Sequence, residues 1–313
     1  MTGGVFAAML TPLKAGGAID EAGLCRLAFW LLGQGCDGVV LFGTTGEFPS
    51  FSLEERNAAL DRLIEGGVPA AKLIVGTGCP AVRDTIAASR YAALHGCAGV
   101  LVVPPYYFKE VLEEGLFAAF AQTIEGVGGD IPIFLYHFPA MSAVPIGLEV
   151  IDRLHRAYPG AIAGIKDSSG SLDNMRAMIQ HFPQLAVFTG DDDLLLPLLR
   201  SGGAGSITAG ANIAPHLLAH IYANWRRPDE AVERHHAMLE NLWTGMLLKH
   251  PVTEALKEIL AAESDNEAWL HMRAPLCRLS PVKRQALLAR YREIGFTLIT
   301  SQRELLDRPA RRP

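Results

Sequence analysis

The chain is predicted to fold as an α/β protein, a parallel (β/α)8 TIM barrel with a C-terminal helical extension. Three observations carry that expectation. Short apolar runs of strand length alternate with longer amphipathic stretches from the beginning of the chain to about Pro215. Eight such runs occur, each followed by a helix-like stretch, the pattern of parallel strands with helices packed outside. The length of 313 residues, half hydrophobic and only 19% charged, with 31 glycines, suits one large barrel with an appendage or two ordinary domains. The unbroken alternation favours the barrel.

The elements follow in order. Strands are expected at Val5–Leu10, Gly38–Phe42, Leu73–Gly76, Gly99–Val103, Ile133–Tyr136, Ile162–Lys166, Ala186–Thr189 and Gly205–Ala209. Amphipathic helices are expected between them at Glu21–Gln34, Leu53–Glu65, Val82–His95, Leu112–Ile124, Glu149–Ala157, Leu172–His181 and Leu194–Gly202. Gly96-Cys97-Ala98-Gly99 and Gly202-Gly203-Ala204-Gly205 read as helix ends feeding the next strand. After Pro215 the strand signals stop, and His216–Asn224, Asp229–His250, Val252–Ala262 and Pro281–Ile294 read as helices. They are separated by breaks at Arg227-Pro228, His250-Pro251 and Arg273-Ala274-Pro275. The expected division is a barrel over residues 1–215, a helical extension over 216–300 and a flexible tail over 301–313. The basic, proline-rich end, Arg308 to Pro313, reads as a frayed terminus.

Composition excludes several function classes. A net charge of −5 argues against nucleic acid or an anionic membrane as the main partner. No apolar run approaches the roughly 20 residues that span a bilayer. The start, Met1-Thr2-Gly3-Gly4-Val5, lacks the basic and apolar segments of a secretory signal. Five scattered cysteines, Cys25, Cys36, Cys79, Cys97 and Cys277, form no Cys-x-x-Cys pair and fit reduced thiols in a cytoplasmic protein.

Three strand ends carry chemistry. Ala161-Ile162-Ala163-Gly164-Ile165-Lys166 is a short apolar run ending in a lone lysine before a polar turn. Apolar surroundings disfavour an ammonium, and a neutral amine attacks carbonyls. Val39-Val40-Leu41-Phe42 ends in Gly43-Thr44-Thr45-Gly46-Glu47, two hydroxyls between glycines that let a ligand approach the backbone, with Glu47 placed to cap or brace the turn. Ile133-Phe134-Leu135 ends in Tyr136-His137-Phe138-Pro139. Each has a plainer reading alone: a snorkelling lysine, a structural turn, a core tyrosine with a wet hydroxyl. Barrel enzymes place their sites at the carboxyl ends of the strands, and strands two, five and six would aim Thr44, Thr45, Tyr136 and Lys166 at one mouth.

Together with Pro105-Tyr106-Tyr107, Gly164-Ile165-Lys166-Asp167, Ala209-Gly210-Ala211-Asn212 and His250 to Lys257, these segments resemble one family in wording, order and spacing. It is the family of pyruvate-dependent class I aldolases that includes dihydrodipicolinate synthase and N-acetylneuraminate lyase. The resemblance runs from Val5 to about Ile294. It implies a Schiff-base nucleophile at Lys166, a proton shuttle at Tyr136, and carboxylate binding and proton relay at Thr44 and Thr45, with Gly46 beside them. It implies that Tyr107 crosses a subunit interface into a neighbour's relay, that Ile207 touches bound pyruvate, and that the chain assembles as a homotetramer. No cofactor is implied. Of Asp191-Asp192-Asp193, one or two would hydrogen-bond a polyhydroxylated substrate, with helix capping by Asp193 as the competing reading and metal binding disfavoured. His137 is expected to face away from the catalytic tyrosine and make a structural hydrogen bond. His235, His236 and His250 have no partner at metal-ligand spacing.

The match breaks at Met141. Dihydrodipicolinate synthases carry an arginine there, which grips the carboxylate of aspartate semialdehyde; a methionine makes no such contact. Ala140-Met141-Ser142 is closer to the Ala-Leu-Ser of N-acetylneuraminate lyases, yet Ala209 stands where those lyases offer a serine. The expected activity is therefore a lyase acting through an imine on pyruvate or a 2-keto-3-deoxy sugar acid, by aldol cleavage, condensation or dehydration, with an aldehyde or sugar acid as the other substrate. The alternatives are 4-hydroxy-tetrahydrodipicolinate synthase with its arginine supplied elsewhere, and a barrel that binds an α-keto acid without turnover.

Overall fold

In a computed structural model, residues 3–227 and 229–298 are described. The expected tail over 301–313, the last residues of the extension and Pro228 lie outside the described residues.

Eight parallel strands close on themselves in chain order: β1 (Gly4–Ala8), β2 (Gly38–Leu41), β3 (Leu73–Gly76), β4 (Gly99–Val102), β5 (Ile133–His137), β6 (Ile162–Asp167), β7 (Ala186–Thr189) and β8 (Gly205–Thr208). All eight expected strands exist, with ends shifted by at most two residues. Successive side chains on a strand face opposite sides. One set, including Phe6, Val40, Ile74, Leu101, Phe134, Phe188 and Ile207, fills the barrel interior. Phe188 makes edge-to-face contacts with Phe6 and Phe134 at centroid distances of 5.7 and 6.0 Å. The alternate set, such as Val5, Val39, Leu41, Val100 and Leu135, packs outward under the helices. Each fully buried Phe or Leu contributes about 1.5–3 kcal/mol, so the interior is a packed plug and only the upper mouth is free for chemistry.

The outer ring comprises α1 (Glu21–Gly33), α2 (Leu53–Glu65), α3 (Val82–Leu94), α4 (Glu113–Val127), a four-residue turn of helix α5 (Pro139–Ser142), α6 (Leu148–Ala157), α7 (Leu172–His181), α8 (Leu195–Arg200) and α9 (Pro215–Asn224). Helix α2 begins with a capping box. The Glu55 amide donates to Ser52 Oγ at 3.2 Å and the Ser52 amide donates to Glu55 Oε2 at 3.0 Å. Gly96 (φ 69°) and Gly202 (φ 91°) take the left-handed backbone just past α3 and α8, as their positions predicted. Helix α9 packs on α8 and β1. It stands where an eighth barrel helix belongs.

The extension comprises α10 (Glu230–Leu242), α11 (Val252–Ser264) and α12 (Pro281–Ile294). The single helix expected over Asp229–His250 is corrected: α10 stops at Leu242, and a separate 3-10 turn covers Leu247–Lys249. The chain turns there because Trp243 and Thr244 reach back to the loop after β7. All five cysteines are free, with Cys36, Cys79 and Cys97 buried. Among the described residues no helix is long and apolar enough to cross a membrane.

Candidate active site

Lys166 owes its direction to a β-bulge. On β6, Ile162 and Ile165 both join the outer core, although they are three residues apart. Strict alternation from Ile162 would send Lys166 outward as well. Instead the β5–β6 register slips between Ile133 and Phe134, pairing Ile133 with Ile162 but Phe134 with Gly164. The extra residue, Ala163, resets the parity. Lys166 then pairs with the inward-facing Tyr136 and Phe188. A Cβ at Gly164 would collide with the Ala186 carbonyl, so only glycine lets the strands approach at this point. Lys166 is 4% exposed, and its Nζ lies 4.3 Å from the centre of the Tyr136 ring.

Tyr136 and Thr44 meet at the same mouth, their hydroxyl oxygens 3.2 Å apart, either able to donate. The turn that presents Thr44 and buried Thr45 is tightly specified. Phe42 takes φ 54° and Glu47 φ 60°, both left-handed and costly for non-glycine residues. The Gly46 amide donates to the Gly43 carbonyl at 3.1 Å and the Glu47 amide to the Thr44 carbonyl at 3.0 Å. Thr11 Oγ1 donates to the Gly46 carbonyl at 2.8 Å, fastening the turn to the segment after β1. Ile207 is fully buried on β8 in the layer beneath. Phe42, Phe48, Gly76, Val103 and Tyr136 line a small recess here. A larger cleft of about 570 Å3 lies elsewhere, between the segment after β1 and His271–Arg278. The chemistry is assigned to the mouth because the amine and the paired hydroxyls are there.

His137 faces away from Tyr136, as expected. It sits opposite Asp167 in register, and its Nδ1 accepts from the Ile146 amide at 3.0 Å. Burial lowers its pKa, against the opposing pull of Asp167, so it is a neutral structural acceptor. Asp167 is occupied too, accepting from the Ser169 amide at 2.7 Å and from Asn174 Nδ2 at 2.8 Å.

Two expected site residues stand on the rim. Tyr107 is 75% exposed, its ring against Phe108, and reaches none of the other site residues within this chain. Met141 is 62% exposed on α5. Lys109 ties these two rim segments together by donating to the carbonyls of Tyr106 and Ser142.

The three adjacent acids diverge. Asp191 Oδ1 accepts from Trp243 Nε1 at 3.0 Å, while its Oδ2 is buried without a hydrogen-bond partner among the described residues. Burial raises its pKa to about 6, against the hydrogen bond from Trp243 and the nearby positive charge of Lys166. Asp192 is 1% exposed, and its Oδ2 accepts from the Gly210 amide at 3.0 Å. Burial raises its pKa to about 7, partly offset by the Thr208 hydroxyl and the Gly210 amide. It binds the β7 loop to the end of β8 and faces the fold rather than the mouth. Asp193 caps no helix; it accepts from the Thr244 hydroxyl.

Two partners of this site were missed in the sequence. Glu47 forms a fully buried ion pair with Lys257 of α11, and its Oε2 accepts from the Arg273 amide at 3.3 Å. The available signal was a pair of charges, Lys257 and Glu258, inside the otherwise apolar stretch Ala255–Ala261, where buried charges demand partners.

Comparison with known proteins agrees with this fold. The profile of the dihydrodipicolinate synthetase family matches residues 1–293. A DapA-like lyase of Chloroflexus aurantiacus is 35% identical over 294 residues, covering 93% of this chain and 96% of that protein. Dihydrodipicolinate synthase from Agrobacterium tumefaciens superposes with a TM-score of 0.85 at 32% identity, over 93% of this chain and 99% of that one. YagE from Escherichia coli, a prophage protein of the dihydrodipicolinic acid synthase family solved in complex with pyruvate, gives a TM-score of 0.83 at 28% identity, over 94% and 99%.

Proposed function

The chain belongs to the dihydrodipicolinate synthetase family and is a lyase of that family, and we propose that it works through an imine between Lys166 and an α-keto acid. The observation that carries this is the enclosed Lys166 amine over the Tyr136 ring, with the Tyr136 hydroxyl 3.2 Å from Thr44. The amine adds to the keto carbon, and Tyr136 delivers a proton to the carbinolamine oxygen so that water leaves. The iminium then accepts an electron pair. For a 2-keto-3-deoxy sugar acid, the bond between the carbon next to the iminium and its hydroxyl-bearing neighbour breaks. The Tyr136 phenolate left by the first transfer takes that hydroxyl's proton, an aldehyde departs, and the pair becomes an enamine. Protonation and hydrolysis release the keto acid and restore the amine. The Thr44–Thr45 turn offers neutral donors to the keto acid's carboxylate without competing with the iminium charge.

We place substrate hydroxyls near the unpartnered Oδ2 of Asp191, whose carboxyl feels the Lys166 charge, and not near Asp192, whose Oδ2 accepts from the Gly210 amide and whose Oδ1, also without a partner among the described residues, is buried away from that lysine's influence. Pyruvate, bound in the related YagE structure, supports the keto acid as the shared substrate. Exposed Tyr107, Phe108 and Leu112 support assembly into the expected homotetramer, with Tyr107 entering a neighbouring site. A keto-acid sensor without turnover has no use for the Tyr136–Thr44 pair.

Borohydride reduction with pyruvate tests the mechanism: mass spectrometry should find the adduct on Lys166, and an unmodified Lys166 overturns it. The second reading, synthase activity on aspartate semialdehyde, is favoured by the name of the Agrobacterium relative and opposed by exposed, uncharged Met141. Turnover of that aldehyde at rates matching keto-deoxy sugar acids would decide for it.

A further inference from the structure

The Thr44–Thr45 turn is held from the far end of the chain. The Lys257 ammonium and Glu47 carboxylate are both fully buried. Such charges persist in the interior only when paired and hydrogen-bonded on every side, and this pair meets that demand. Lys257 also donates to the His271 carbonyl at 2.9 Å, and Glu47 accepts from the Arg273 amide at 3.3 Å. The Arg273 side chain extends the network along the turn. It donates to the Ser50 carbonyl at 3.0 Å and the Gly17 carbonyl at 2.7 Å, and forms a two-point pair with Glu55 at 2.6 and 2.8 Å. Desolvation lowers the pKa of Lys257, and Glu47 opposes that shift, so the ammonium depends on its partner.

The backbone shows what the network holds. Glu47 sits at φ 60°, a conformation uncommon for glutamate, and its amide closes the turn onto the Thr44 carbonyl. We propose that Glu47 is a positioning residue: gripped by Lys257 and Arg273 of the C-terminal segment, it sets the Thr44–Thr45 turn against Tyr136. The helical extension is thereby part of the catalytic apparatus although none of it touches the reacting atoms. A misplacement of about 1 Å in such a group costs up to about 100-fold in rate. The proposal rests on the reading of Lys166 as the amine nucleophile.

The test is the double variant Glu47→Gln/Lys257→Met, which removes both charges together and so leaves neither stranded. Three quantities are read on the assembled protein: the denaturation midpoint, the rate of borohydride trapping at limiting pyruvate, and amide hydrogen exchange over residues 43–50. The expected result is a folded protein with trapping 10- to 100-fold slower and faster exchange confined to that turn. A folded double variant that traps at the native rate with native exchange overturns the proposal. If the double variant does not fold, Arg273→Gln at its partly exposed position replaces it, with a 3- to 10-fold loss expected and a native rate overturning the idea. If native protein forms no adduct, the Lys166 reading has failed, and the exchange of residues 43–50 alone decides the positioning role.

Discussion

Asp192 makes stability depend on pH in a calculable direction. Its carboxyl is fully buried, and desolvation lifts it from an ordinary 3.8 to about 7. Below about pH 4 the group is protonated in folded and unfolded chains alike and contributes no difference. Between about pH 4 and 7 the unfolded chain releases its proton while the folded chain retains it. Unfolding then becomes easier by about 1.4 kcal/mol per pH unit. Above pH 7 both forms are ionised and the cost is constant, about 4 kcal/mol in all. Asp192→Asn keeps an acceptor for the Gly210 amide and cannot ionise. Urea unfolding of both proteins from pH 4.5 to 8.5 should show the variant ahead by only about 1 kcal/mol at the acid end. The variant should gain steadily to a lead of about 4 kcal/mol by pH 8. A difference that stays flat with pH, or one in which the native protein gains as pH rises, would refute the burial argument.

Three further outcomes are expected. Lys166→Ala should fold normally and lose pyruvate trapping together with turnover, by more than about 10³-fold; residual trapping would point to another amine. Tyr136→Phe should lower kcat by about 10²- to 10⁴-fold while leaving KM nearly unchanged, as loss of a proton shuttle does; an unchanged kcat would remove Tyr136 from the mechanism. Met141→Arg, at its exposed rim position, should lower KM for a carboxylate-bearing aldehyde. A charge-assisted contact of about 1.5–3 kcal/mol corresponds to roughly 10- to 150-fold. Affinity for keto-deoxy sugar acids should stay within a factor of about two, which steady-state kinetics on both substrates can check.

Local pattern made most of the fold legible. Strand-length apolar runs and helical periodicity are nearest-neighbour signals, and the eight strands fell where they predicted. Helix α2 announced itself through its amphipathic stretch Leu53–Glu65, and the ends of α3 and α8 through Gly96 and Gly202. The error at Asp229–His250 came from long-range contacts. The local pattern continues past Leu242, but the anchoring of Trp243 and Thr244 on Asp191 and Asp193 ends the helix. Similarly, Asp191-Asp192-Asp193 reads as one acidic cluster, whereas packing gives each side chain a different partner.

By itself the sequence determined the barrel and singled out the three strand ends and the lysine proposed here for the chemistry, because these depend on local composition and order. Only the tertiary structure decided that the amine enters the barrel. Alternation from Ile162 alone would turn Lys166 outward with the outer core; the slip between β5 and β6, permitted by Gly164, turns it inward to Tyr136. Only the tertiary structure, too, joined Glu47 to Lys257 across 210 residues of chain. Register and the pairing of buried charges are properties of two segments together, and neither segment states them alone.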